Sequence, residues 1–192
     1  MEALNEQLAK WEKHFQNELK IKKEDIPILA TVFSNEIKNL SEDIRQEIRD
    51  ATPVDIHLRY EELCAFQSYM DITHSRTLHP SEVRAQIINT NYICFVYLNE
   101  SCFRIIKQHL TAGSTTKKCC NYLVNNPIRA FRNAIAHSNW SYKDDFSAIS
   151  YWARKGSDQN EPLEQFEVTN EQLGFWQTLA RGLAYVIYEE IV

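Results

Sequence analysis

The segment NNPIRAFRNAIAHSNW, Asn125 to Trp140, holds an arginine, an amide and an imidazole within six residues. Arg132 stays cationic and offers a fork of donors that fits phosphate oxygens. His137 carries an imidazole, a group that titrates near neutrality and can give or take a proton there. Asn133 precedes His137 by four residues, so on a helix its amide could orient the ring. Together these types suit proton transfer at a phosphodiester. Their spacing raises a difficulty, because Arg132 and His137 sit about 140° apart around a helix.

The wheel places each group. Ile128, Phe131 and Ile135 fall within an arc of about 60° and form the core-facing stripe. Asn133 and His137 lie on the opposite side, and Arg129 lies between. Arg132 borders the apolar stripe, and its long side chain can reach round. Asn126-Pro127 supplies a helix start and Ser138-Asn139 a stop.

The elements that must hold this helix are also helical. Gly (4) and Pro (5) are scarce, which favours long helices over a many-turned β fold. Leu4, Leu8, Trp11, Phe15 and Leu19 make one narrow stripe, docked on the domain's own core or serving as a partner-binding arm. KIKKED (Lys20–Asp25) reads as a solvated turn, and Ile26 to Ile48 is again helical through Leu29, Phe33, Ile37, Leu40 and Ile44. Thr52-Pro53 starts a helix running to about His74. HSRTLHPSE is a loop, Ser81 caps, and Val83 to Leu110 is a long helix ended by TAGSTT. Within that helix Asn99-Glu100 interrupts an apolar stretch, as a polar contact to the site or as a solvated face. A short helix follows over Lys117–Val124. Phe146–Arg154 and Leu163–Val168 alternate as strands around the loop KGSDQNEP. Thr169 caps a last helix with Leu173, Trp176, Ala180, Leu183, Ile187 and Ile191 on one stripe.

The 192-residue chain has 44% hydrophobic residues, enough for a sizeable core, and no internal repeat or Gly/Ser linker. Its formal charge of −5 argues against a non-specific nucleic-acid coat but leaves room for a local basic patch. The five cysteines (64, 94, 102, 119 and 120) form no CxxC pair and read as reduced thiols of a cytoplasmic protein. Cys119-Cys120 is read as helix-buried, with a redox or metal element as the other possibility. MEALNEQLAK lacks the apolar core of a secretion signal, and no run reaches the roughly 20 apolar residues that span a bilayer.

Arg132-Asn133-Ala134-Ile135-Ala136-His137 resembles the signature of the HEPN family (higher eukaryotes and prokaryotes nucleotide-binding domain): an Arg, often followed by a polar residue, then a His after four to six intervening residues. A second match, Arg104 to His109, reads as chance, since Ile105 replaces the polar residue and no capped start precedes it. The elements sum to an all-α domain with one β-hairpin inserted before the C-terminal helix, and the resemblance implies that the helices form a HEPN-like bundle. Residues 1–192 would form a single domain, with 1–50 as a helical extension and 52–192 as the core, including the motif at 127–139 and the hairpin at 146–168.

For catalytic members the resemblance implies metal-independent RNA cleavage without a cofactor. The 2′-OH attacks phosphorus and expels the 5′-oxygen, with Arg132, His137 and Asn133 as the catalytic set. It also implies a homodimer in which Arg132 of one chain approaches His137 of the other, which would remove the angular difficulty. Arg129, Trp140 and Lys143 are candidate substrate contacts. Lys117-Lys118 and Arg154-Lys155 could guide phosphate or be plain solvated charge. Trp140 and Tyr142 could stack bases or pack the hairpin. Expected partners are RNA and, for a toxin or defence component, an antitoxin or regulatory protein. The alternative is a non-catalytic HEPN-like module for dimerisation or partner binding.

Overall fold

A computed structural model describes residues 1–51, 94–154 and 160–191 of the chain. The helix expected over Thr52–His74, the Ser81 cap, the start at Val83, Cys64 and Lys155 lie outside the described residues. In chain order the elements are α1 (Glu2–Ala9), α2 (Glu12–Asn17), a 3-10 helix (Lys23–Ile28), α3 (Leu29–Lys38), α4 (Glu42–Ala51), α5 (Cys94–His109), α6 (Thr115–Val124), α7 (Ile128–Ala136), β1 (Trp140–Tyr142), β2 (Ala148–Ala153), β3 (Glu164–Thr169) and α8 (Asn170–Ile191). The protein is mostly helical with a small antiparallel sheet, ordered β1-β2-β3.

The 22-residue helix α8 is the centre of the core. The Thr169 hydroxyl accepts from Gln172 N–H at 3.1 Å, so the expected cap forms. All six residues of the expected stripe are buried, and Phe175, Leu179, Gly182 and Val186 join them. The buried face is wider than one stripe because α1, α3, α5, α6 and β3 all pack around α8. Two glycines of α8 let the N-terminal helices approach closely. A Cβ at Gly174 would lie 2.8 Å from the Trp11 indole, and one at Gly182 would lie 3.0 Å from Leu8 Cδ2. Residues 2–17 are therefore docked on the core.

Two expected long helices are each broken. The first is interrupted at Lys10-Trp11, where Trp11 N–H bonds back to the Leu8 carbonyl at 3.0 Å and the indole seats over Gly174. The second becomes the 3-10 helix, α3 and α4, with a corner at Asn39–Ser41. Arg45 closes that corner by donating to the carbonyls of Lys38 at 2.6 Å, Leu40 at 3.1 Å and Glu190 at 2.8 Å. Helix α6 starts two residues before the expected Lys117, inside the TAGSTT segment. The Glu36 carboxylate accepts from Thr115 and Thr116 N–H at 3.1 and 2.8 Å, and Ser114 Oγ accepts from Lys117 N–H at 3.4 Å. Cys102, Cys119 and Cys120 are buried, and burial pushes the Cys119 and Cys120 thiols well above the usual range.

The hairpin is present, with β2 and β3 paired from Ala148↔Thr169 to Ala153↔Glu164. It belongs to a larger sheet than expected, since β1 adds the pairs Trp140↔Tyr151 and Tyr142↔Ile149. On β2, Ile149, Tyr151 and Ala153 face the core. Tyr151 stacks on Phe166 at 5.3 Å between ring centroids.

A polar network joins the N-terminal segment to α6 and α8. Tyr122 donates to the Glu18 carboxylate, while its oxygen accepts from Trp176 Nε1 at 2.9 Å and Gln172 Nε2 at 3.0 Å. Trp176 is buried, so loss of the phenol leaves its indole N–H without that acceptor. Tyr122→Phe should destabilise the fold by about 1–3 kcal/mol in urea denaturation. Burial, reinforced by Glu18, holds the Tyr122 phenol well above the usual tyrosine range. A raised folded-state pKa contributes stability that is present below the unfolded value and lost as pH rises beyond it. The gap between wild type and Tyr122→Phe should therefore shrink above about pH 10.

Candidate functional site

Helix α7 is placed by its apolar face. Ile128, Ala130, Phe131, Ala134 and Ile135 are all buried. The Phe131 ring meets Tyr151 of β2 edge-on at 5.3 Å and Trp176 of α8 at 5.6 Å, which fixes the helix between sheet and core. The helix opens after a cis Asn126-Pro127 bond. It closes in a Schellman turn without glycine. Ser138 takes φ 58°, its N–H bonds the Ile135 carbonyl at 3.1 Å, and Asn139 N–H bonds the Ala134 carbonyl at 2.8 Å. His137 is the C-cap residue, and the chain leaves directly into β1.

The wheel expectations hold for both faces. Asn133 and His137 are exposed, opposite the buried stripe, and Arg129 is exposed as well. Among the described residues, the His137 ring makes no hydrogen bond or ion pair. The Asn133 amide turns to the other member of the motif: its Oδ1 accepts from Arg132 Nη2 at 3.1 Å.

Arg132 points toward α5. Its Nη1 pairs with Glu100 Oε2, and the two side chains are only 14% and 12% exposed. The same carboxylate pairs through Oε1 with Arg104 Nη2, one turn along α5, whose side chain is 49% exposed. Glu100 thus lies between two guanidinium groups from two helices. Of the two readings open for Asn99-Glu100, the polar contact to the motif is the one found. Asn99 is buried, and its Oδ1 accepts from the Tyr188 hydroxyl at 3.0 Å. Arg104 therefore adjoins the motif, while His109 is drawn away to Glu47 at 3.2 Å. Sequence reasoning gave Arg104 no role at the site. The signal that could have found it is its spacing of four from Glu100 on one helix face.

The remaining candidates are placed as follows. Lys143 is paired with Glu167 at 2.6 Å. Trp140 is half-buried against the core and meets Tyr142 edge-on at 5.6 Å, as hairpin packing requires. Lys117 Nζ donates to the Leu110 carbonyl at 2.8 Å, Lys118 Nζ to the Lys20 carbonyl at 3.1 Å, and Arg154 Nε to the Glu161 carbonyl at 2.8 Å. Among the described residues no group of three or more His, Cys, Asp or Glu side chains is placed to hold a metal ion, and no helix is long and apolar enough to cross a membrane. No family model, curated protein or solved structure matches the chain.

The Glu100–Arg132 pair is largely withdrawn from water, so breaking it from one side leaves a poorly solvated charge. Glu100→Ala should cost about 3 kcal/mol in chemical denaturation. In a double-mutant cycle, adding Arg132→Met should cost less than it does in the wild-type background, because the orphaned cation is removed.

Proposed function

We propose that this chain is a metal-independent endoribonuclease of HEPN type, working in the cytoplasm as a homodimer. The observation that carries the reading is the division of labour on α7. The Arg132 guanidinium is held by Glu100 and Asn133, while one turn beyond Asn133 the His137 imidazole is exposed and uncommitted. A fixed cation suits charge stabilisation on phosphorus, and an accessible ring suits proton transfer.

In the proposed reaction the 2′-hydroxyl oxygen bonds to the adjacent phosphorus and the bond to the 5′-oxygen breaks. An imidazole accepts the 2′ proton, and a proton is delivered to the departing 5′-oxygen. The products are a 2′,3′-cyclic phosphate and a 5′-hydroxyl end. Arg132 neutralises charge on the non-bridging oxygens of the pentacoordinate state. A two-fold axis through the exposed Asn133–His137 face would bring His137 of one protomer toward Arg132 of its partner and supply two imidazoles for the two proton transfers. An RNA-cleaving protein of this kind would harm its own cell unless a partner restrains it, which fits a toxin or defence role with an antitoxin or regulator.

The second reading is a non-catalytic helical module using the same face for dimerisation. The Glu100–Arg132–Arg104 cluster favours it, since an ion-pair tie between α5 and α7 gives Arg132 a purely structural use.

Incubation of labelled RNA with purified protein in excess EDTA separates the two. Cleavage should proceed, leave 2′,3′-cyclic ends and spare DNA, which lacks the nucleophile. His137→Ala and Arg132→Ala should each lower the rate at least about 100-fold, with the His137 variant retaining wild-type stability. Specific activity should fall on dilution as the dimer dissociates. Cleavage that survives both substitutions would sink the mechanism.

A further inference from the structure

Arg104 is the cation that the proposed chemistry does not use. It shares the Glu100 carboxylate with Arg132, yet it differs from Arg132 in exposure. Arg132 is 14% exposed at the side chain and Arg104 is 49% exposed. A guanidinium carries five N–H donors, and Arg104 pairs with Glu100 through Nη2 alone, which leaves the rest of its fork able to face a second anion. The Glu100 carboxylate lies between the two cations, with Oε1 toward Arg104 and Oε2 toward Arg132. Held on opposite oxygens of one carboxylate, the two guanidiniums present two separate positive centres.

The local charge also favours an anion. Two arginines against one glutamate leave the cluster net positive, and exposed Arg129 on α7 adds to it, within a chain of formal charge −5. Lys117 and Lys118 are tied to carbonyls and Lys143 to Glu167. Arg129 and Arg104 stand as exposed arginines beside the motif, and Arg104 is the one set next to Arg132 through Glu100.

We propose that Arg104 and Arg132 form a two-phosphate clamp spaced by Glu100, in which Arg132 meets the reacting phosphate and Arg104 meets a neighbouring phosphate of the same single strand. Arg104 is then a binding residue for chain length and not for the chemical step. This assignment rests on the nuclease reading for its reacting phosphate, but the contact between Arg104 and a strand can be measured without cleavage.

Two substrates test it: a dinucleoside monophosphate, with one phosphate, and an unstructured hexaribonucleotide, with five. Arg104→Ala should raise KM for the hexanucleotide about tenfold while kcat stays within about twofold. On the dinucleotide the same variant should match wild type. Arg104→Lys should recover most of the loss in KM, since the charge is kept. In parallel, fluorescence anisotropy with a labelled hexanucleotide in the His137→Ala background should show Arg104→Ala reducing the slope of log affinity against log salt by about one. A thermal melt of each variant confirms that the fold is intact.

An unchanged KM for the hexanucleotide, or an equal loss on the one-phosphate substrate, would overturn the clamp and leave the nuclease reading standing. If wild type cleaves neither substrate, the nuclease reading falls. The anisotropy then decides alone: a slope reduced by loss of Arg104 supports the contact, and an unchanged slope or no binding overturns it.

Discussion

The arrangement around α7 depends on one carboxylate. Glu100 comes from α5, a different helix from the motif, and it sets where the Arg132 guanidinium lies. On its own helix Arg132 borders Ile128, Phe131 and Ile135, all buried, and a lone cation there would turn to water. An anion at low exposure reverses that preference and draws the side chain inward. Such pairs add little net stability over an apolar contact, but they define orientation, and orientation is what a cation at a reacting phosphate needs. The cost is that α5 and α7 must keep their spacing. Phe131, wedged between Tyr151 and Trp176, and Asn99, bonded to Tyr188 of α8, hold the two helices to the same core.

Much of this was legible in the sequence, for a simple reason. Stripes at helical spacing report which face is buried, and the stripes of α7 and α8 did so residue by residue. Caps report boundaries, as Thr169 did for α8. What the pattern did not carry is the identity of the neighbour. The breaks at Lys10-Trp11 and Asn39–Ser41 leave the hydrophobic period almost undisturbed. They are seen only once Trp11 is set on Gly174 and Arg45 on the Glu190 carbonyl, contacts that span more than a hundred residues. Strand β1 was missed because three residues are too few for a convincing alternation. Trp140 and Tyr142, spaced by two, were the available hint.

The site divided along the same line. The exposure of Asn133 and His137 follows from angle alone. The destination of Arg132 does not, because its partner lies 32 positions earlier, a separation periodicity cannot read. Asn99-Glu100 stood out as polar residues in an apolar helix, and that irregularity was the one trace of the contact. The surface cations were harder still. Lys117, Lys118 and Lys143 look alike in sequence, and each turned out to be committed to a specific acceptor.

Asn139 is bonded on both sides, its N–H to Ala134 in the helix and its carbonyl to the Trp152 N–H in the sheet. With only Ser138 between them, His137 has almost no tether of its own. The backbone that carries the imidazole is therefore tied to α7 on one side and to β2 on the other. A lengthened or shortened connection at this point would swing the ring to another compass bearing while leaving every stripe in the core untouched.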